Sequence, residues 1–159
     1  MINYYKTSEQ GLIQLESSAS GAWINVVDPT PEEISFLTEQ IEIYPDLINY
    51  ALDRDEMPRI ERDEDEGYTF ILLRIPHFQG KNVDVPYATI PLGIIIYGGT
   101  IITVCRHETD ILRPLLNGKY RGLKTGKRYR FVLYVFLEAA SRYLAHRSEE
   151  RRVGKECRL

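Results

Sequence analysis

Carboxylates are the densest chemistry-bearing groups in this 159-residue chain: Asp53, Asp55, Glu56, Glu61, Asp63, Glu64, Asp65 and Glu66 stand within one short stretch. Hard cations such as Mg2+ take oxygen ligands of this kind and keep several waters. The spacing argues against a tight site. Tandem carboxylates on a turn point in different directions, so Asp63-Glu64-Asp65-Glu66-Gly67 reads as a solvated hairpin turn that attracts cations loosely. Cys105-Arg106-His107 holds two metal-ligand types, but two ligands without partners make no site. Cys105 closes an apolar run and is expected to be a buried packing residue. His77, His107 and His146 are scattered and are expected at surfaces or edges, not as catalytic bases. Lys124, Lys127, Arg128 and Arg130, with Tyr129 among them, form a small basic aromatic patch of the type that meets nucleic acid. Phe131-Val132-Leu133 follow at once, so the patch reads as the solvated first turn of a helix.

Motifs for covalent catalysis and phosphate binding are missing. There is no G-x-S-x-G, H-E-x-x-H, Walker loop or G-x-G-x-x-G. No catalytic or cofactor-binding residue is assigned, and an enzyme is not expected. The net charge of -3 lacks the basic footprint of a general nucleic-acid binder, and no nucleic-acid partner is expected. Two cysteines, Cys105 and Cys157, give no disulfide framework and point to a reducing compartment. The opening MINYYKTSEQ has neither the basic start nor the apolar stretch of a secretory signal.

The elements that position these groups follow from punctuation and periodicity. Residues 3–6, 12–16 and 22–27 read as short strands, with Ser17 to Gly21 as the clearest turn. Thr30, Pro31 and Glu33 spell a capping box with proline at the first helical position. Ile34, Leu37 and Ile41 then share a face, and Leu47 to Leu52 make a second short helix. A strand from Ile60 enters the acidic turn and returns as Tyr68–Ile75, apolar on both faces and therefore central. Val85 to Cys105 carries no charge and is long enough for a membrane span. Its prolines, its β-branched runs and Gly98-Gly99 read instead as two buried strands joined by a hairpin. Thr109 or Asp110 is placed to cap a helix through Leu116, ended by Asn117-Gly118. A last helix is expected from about Thr125 to His146, with Leu133, Leu137, Ala140 and Leu144 as a packing seam. The fold class is α/β: a mixed β-sheet with helices packed on its faces, ending in the start of a long stalk helix.

Arg147 to Arg158, RSEERRVGKECR, resembles the translation of a common sequencing adapter. Residues 147–159 are accordingly expected to lie outside the native chain, whose domain is residues 1–146. The tail holds five of the 20 Lys/Arg and three of the 23 Asp/Glu, so the remainder is five charges negative. The gene is then expected to continue beyond His146.

In order along the chain, WINVVDPTPEEI (Trp23 to Ile34), Asp46 to Asp53 with MPRIE (Met57 to Glu61), GYTFILLRIP (Gly67 to Pro76), YATIPLGIIIYGGTIITVCRHE (Tyr87 to Glu108) and KTGKRYRFVLYVFLEAASRYL (Lys124 to Leu144) together resemble the CorA family of divalent-cation (magnesium) transporters. The Tyr87–Glu108 hairpin is most similar to the Gram-positive branch. The likeness covers nearly all of residues 1–146. It implies the N-terminal cytosolic domain of a homopentameric transporter of the cell membrane. This portion would lie on the cytoplasmic side, and the missing C-terminal part would cross the bilayer. Mg2+ is the implied cargo and sensed ion, with zinc or another divalent cation moved in a close variant. The family's Gly-Met-Asn pore signature is absent from these residues. Asp84 lies in the loop corresponding to the family's sensing carboxylates, but its neighbours do not align. The metal-ligating residues therefore stay unassigned. A free-standing soluble binding module of the same fold is the competing expectation.

Overall fold

The computed structural model describes residues 1–80, 82–83 and 86–156, the last eight of these by backbone alone. Seven strands form one mixed sheet: β1 (Ile2–Ser8), β2 (Gly11–Leu15), β3 (Trp23–Val27), β4 (Arg59–Asp63), β5 (Tyr68–Phe78), β6 (Tyr87–Tyr97) and β7 (Thr100–Cys105). Their order is β2-β1-β3-β7-β6-β5-β4. Only β3 and β7 run parallel; every other neighbour is antiparallel. The chain crosses the sheet between β3 and β4 through α1 (Pro31–Glu39) and α2 (Pro45–Leu52). It closes with α3 (Arg113–Leu116) and α4 (Arg128–Glu156).

Alternation along each strand divides the core in two. Ile90, Leu92, Ile94 and Ile96 of β6 join Trp23, Ile71, Ile75 and Ile101 beneath α3 and α4. Ile95 faces the other way, with Ile24, Phe70, Leu72, Ile102 and Val104, beneath α1 and α2. Both faces of the central strands are therefore covered, as their two-sided apolarity requires. Val85 to Cys105 supplies β6 and β7 within its described part, and its turn has Gly98 at φ 53° and Gly99 at φ 85°. Two successive positive φ values are those of a two-residue hairpin that matches the twist of its strands.

The first helix begins as its sequence dictates. Thr30 Oγ1 accepts from the Glu33 N–H at 3.3 Å, and the Glu33 carboxylate accepts from the Thr30 N–H at 2.9 Å. Glu33 also holds the N-terminal ammonium at 2.7 Å. Two other boundaries differ from expectation. Thr109 caps no helix: its hydroxyl accepts from the Ile111 N–H in a turn at 2.9 Å, and α3 starts at Arg113 because Pro114 suits a first turn. Asp110 pairs with Arg113 instead. Thr125 lies three residues before the last helix, buried, where its hydroxyl and N–H both engage Thr7 on β1.

The seam expected on α4 for packing on other helices lies apart from the face that enters the core. Phe131, Val132, Val135 and Ala139 enter the core, whereas Leu133, Leu137 and Leu144 are 64%, 52% and 65% exposed. The 4-3-4 spacing marks a second apolar stripe, turned away from the sheet. The backbone helix also continues past His146 to Glu156.

Candidate functional site

The eight acidic residues between Asp53 and Glu66 are dispersed by the elements that carry them. Asp53 caps the end of α2 and accepts from the Asp55 N–H at 3.0 Å. Glu56 and Glu61 both clamp Arg59, whose guanidinium also lies over Tyr50, 4.6 Å from the ring centroid. Asp63 accepts from the Glu66 N–H at 2.9 Å and so shapes the β4–β5 turn. Glu64 meets the exposed Arg62 at 3.4 Å. Glu66 accepts from the Tyr44 phenol, and that bond pushes the tyrosine ionisation up to about 12. Asp65 is exposed at the turn. Among the described residues, no three His, Cys, Asp or Glu side chains converge closely enough to hold a metal ion. Asp84 lies outside the described residues.

Cys105-Arg106-His107 is also separated. The Cys105 thiol is buried, donates to the Pro91 carbonyl at 3.4 Å, and is pushed up in pKa by that burial. Arg106 turns to the Leu52 carbonyl at 3.0 Å. His107 stacks on His77, with centroids 4.6 Å apart and planes 15° apart. Burial holds the His77 pKa below its ordinary value, and His107 and Arg54 push it further down. Sequence reasoning missed this pair because β6 lies between β5 and β7, so no local spacing links the two residues. His146 packs against Tyr87 at 4.1 Å, and Tyr87 also meets Phe78.

Two further polar groups are buried on the α3/α4 face. The Trp23 indole N–H donates to Thr103 at 2.8 Å, and Thr103 donates to Asn25 at 2.9 Å. This chain bridges the parallel β3–β7 pair, where Asn25 opposes Thr103. Glu138 is 3% exposed and accepts from Lys119 and Tyr120. Burial raises its pKa, but the two donors and the lysine charge outweigh that and hold it below the ordinary carboxylate range. The unit ties the α3–α4 connection to the helix and gives the buried carboxylate two donors, both on Oε1.

No helix among the described residues is long and apolar enough to cross a membrane. Among the described residues, features left open to solvent include the acidic β4–β5 turn, the basic 119–130 segment and the apolar stripe on α4.

A family model described as "CorA-like Mg2+ transporter protein" matches residues 18–149. The cobalt/magnesium transport protein CorA of Methanocaldococcus jannaschii is 30% identical over 125 residues, covering 76% of this chain and 37% of that protein. The complete structure of the M. jannaschii CorA magnesium transporter superposes with a TM-score of 0.79 at 22% identity, over 98% of this chain and 49% of that one. The ZntB cytoplasmic domain from Vibrio parahaemolyticus gives 0.74 at 13% identity, over 96% and 63%. These two likenesses show the shared fold, and the chain spans about half or less of the CorA proteins it matches.

Proposed function

Because this chain belongs to the CorA-like Mg2+ transporter family, we propose that it is the cytosolic regulatory domain of a membrane transporter that moves Mg2+ or another divalent cation. The family match across residues 18–149 carries this reading. The cation is cargo and sensed ion, not a resident cofactor, and the transporter is a homopentamer of the cell membrane with this portion on the cytoplasmic side. Ion passage belongs to a C-terminal part not contained in these residues. The apolar stripe on α4 supports that division, since an amphipathic helix with two apolar faces needs partners on both. A zinc-moving relative is the second reading, favoured by the likeness to the ZntB domain.

The decisive experiment is to read the gene of the same source beyond the His146 codon and to express both lengths in a Mg2+-transport-deficient cell. The longer gene should add a heptad-patterned helix and two apolar spans, with Gly-Met-Asn closing the first. Uptake should follow the longer gene and be absent with residues 1–146. A stop codon just after His146 would favour the free-standing module and end the transporter reading.

We propose further that residues 147–159 are foreign to the domain. Arg147 and Ser148 are exposed, and among the described residues the Ser148 hydroxyl bonds to the Leu144 carbonyl one turn back on its own helix. Deleting 147–159 should leave the melting temperature within error. A large loss of stability would show that the tail is part of the fold.

A further inference from the structure

His77 and His107 join two strands that do not pair with each other. His77 stands near the end of β5, and His107 lies just past the end of β7. β6 separates those strands, a gap of about 10 Å between their backbones. The cross-strand partner of His77 on β6 is Ala88, small enough for the two rings to meet over it. They stack with centroids 4.6 Å apart and planes 15° from parallel. A metal ion must lie in the plane of each imidazole that binds it, and face-stacked rings share no such point between them. The stack suits instead two rings of which at most one is charged, since a cation is attracted to a neutral aromatic face.

The charges around the pair oppose a second proton. Burial first, then His107 and Arg54, push the His77 pKa down, and Asp110 acts against them. Asp110 is already held by Arg113 at 2.7 Å. Arg106, next to His107, is turned to the Leu52 carbonyl at the end of α2. Arg74 on β5 engages the Arg54 and Glu56 carbonyls and Thr89. Glu108 is exposed. From α4, Tyr143 donates to the Arg74 carbonyl at 2.7 Å, and His146 lies against Tyr87 of β6. Among the described residues, no carboxylate forms an ion pair with either imidazole. Double protonation would set two charges 4.6 Å apart, well within the screening length of about 8 Å, with no counter-ion paired to them.

We propose that the His77–His107 stack is a proton-operated clasp, which fastens the β7–α3 turn to β5 at neutral pH and releases it in mild acid. A histidine whose pKa is lower in the folded chain than the unfolded value of about 6.5 makes folding release protons. The clasp is therefore fully stabilising above about pH 6.5 and weakens as pH falls below it. Release would reach both faces of the sheet. The turn leads into α3 on one face, and through Arg106 it holds the carboxyl end of α2 on the other. The clasp needs no cargo ion and stands apart from the transporter reading.

The test compares the 159-residue chain with His107→Asn, His77→Phe and His146→Asn. Imidazole titrations by NMR are read with backbone hydrogen exchange, corrected for its intrinsic rate, at about pH 7.5 and about pH 5.5. The His77 midpoint should rise by about half a unit or more in His107→Asn, toward the ordinary value. In the natural chain, protection of the Ile111, Leu112 and Arg113 amides, which bond within the turn, should fall about tenfold or more on acidification. His77→Phe keeps a stacking ring without a proton site, so its turn should stay protected at both pH values. His146→Asn should behave as the natural chain does. If a variant fails to fold by circular dichroism, the natural chain decides: the two rings should titrate as a coupled pair in two separated steps. The proposal is overturned if the His77 midpoint ignores the loss of His107, or if the two rings titrate independently. It is also overturned if turn protection is indifferent to pH, if it falls equally in His77→Phe, or if His146→Asn abolishes the fall.

Discussion

Replacing Gly93 with leucine should unfold the domain or bring it close to unfolding. Gly93 lies mid-way along β6, opposite Leu72 on β5 and Val104 on β7. A Cβ at this position would stand 2.5 Å from the Ala51 Cβ and 3.4 Å from a Phe70 ring carbon. Neither neighbour is the free end of a flexible side chain. Ala51 is fully buried on α2, and Phe70 is fully buried on β5. Glycine is required here because the helix approaches the sheet closely, not because of an unusual backbone angle. Gly93→Ala should cost about 1–3 kcal/mol, the usual range for an overpacked core. Gly93→Leu should cost more, against a domain stability of only about 5–15 kcal/mol. Urea denaturation would measure both. Ala51→Gly should restore part of what Gly93→Ala loses, despite its own helix cost of about 1 kcal/mol, because the two sites share one contact. A Gly93→Ala variant as stable as the natural chain would show that α2 can lift away freely.

Much of this fold was readable in the residues, for physical reasons that differ by element. Thr30, Pro31 and Glu33 act within one turn, so their capping box needs no tertiary partner and forms where it is written. Gly98-Gly99 between β-branched runs likewise encodes its turn locally. Tyr68–Ile75 announced a covered, interior strand through apolarity on both faces, although β5 lies second from the β4 edge and not at the centre of the sheet. The failures are equally instructive. Thr109 looked like a cap, but Pro114 and the Thr109 turn moved the helix start to Arg113. The His77–His107 stack depends on which strands are separated by β6, which no local pattern reports. The acidic stretch, by contrast, was read as a solvated turn rather than a tight site, and Arg59, Arg62, Tyr44 and backbone N–H groups occupy most of its carboxylates. A single sequence shows the charges but not the partners that spend their hydrogen-bonding capacity.

The two faces of α4 should respond oppositely to the same kind of substitution. Phe131 is fully buried and meets Trp23 edge-on, with centroids 4.9 Å apart, while Tyr5 packs on the other side of that tryptophan at 5.2 Å. Phe131→Ala should therefore cost about 3–5 kcal/mol, as large cavities in cores do. The loss should also reach Trp23, whose indole anchors the Thr103–Asn25 chain. Its fluorescence, from the only tryptophan, should shift in the folded variant. Leu133, two residues later, is 64% exposed. Leu133→Ala should change the stability of this chain by no more than about 0.5 kcal/mol, and the same holds for Leu137 and Leu144. The sequence alone marked the second set, by its 4-3-4 spacing, as a seam for other helices and left the sheet-facing set unnamed. What decides between them is which stripe the sheet covers. In the longer protein proposed above the order should change: a continued helix and its neighbours would cover the Leu133 stripe, and Leu133→Gln with Leu137→Gln should then lower thermal stability and transport together. Equal tolerance of that pair in both lengths would mean that the stripe stays uncovered and that α4 does not lead into a packed stalk.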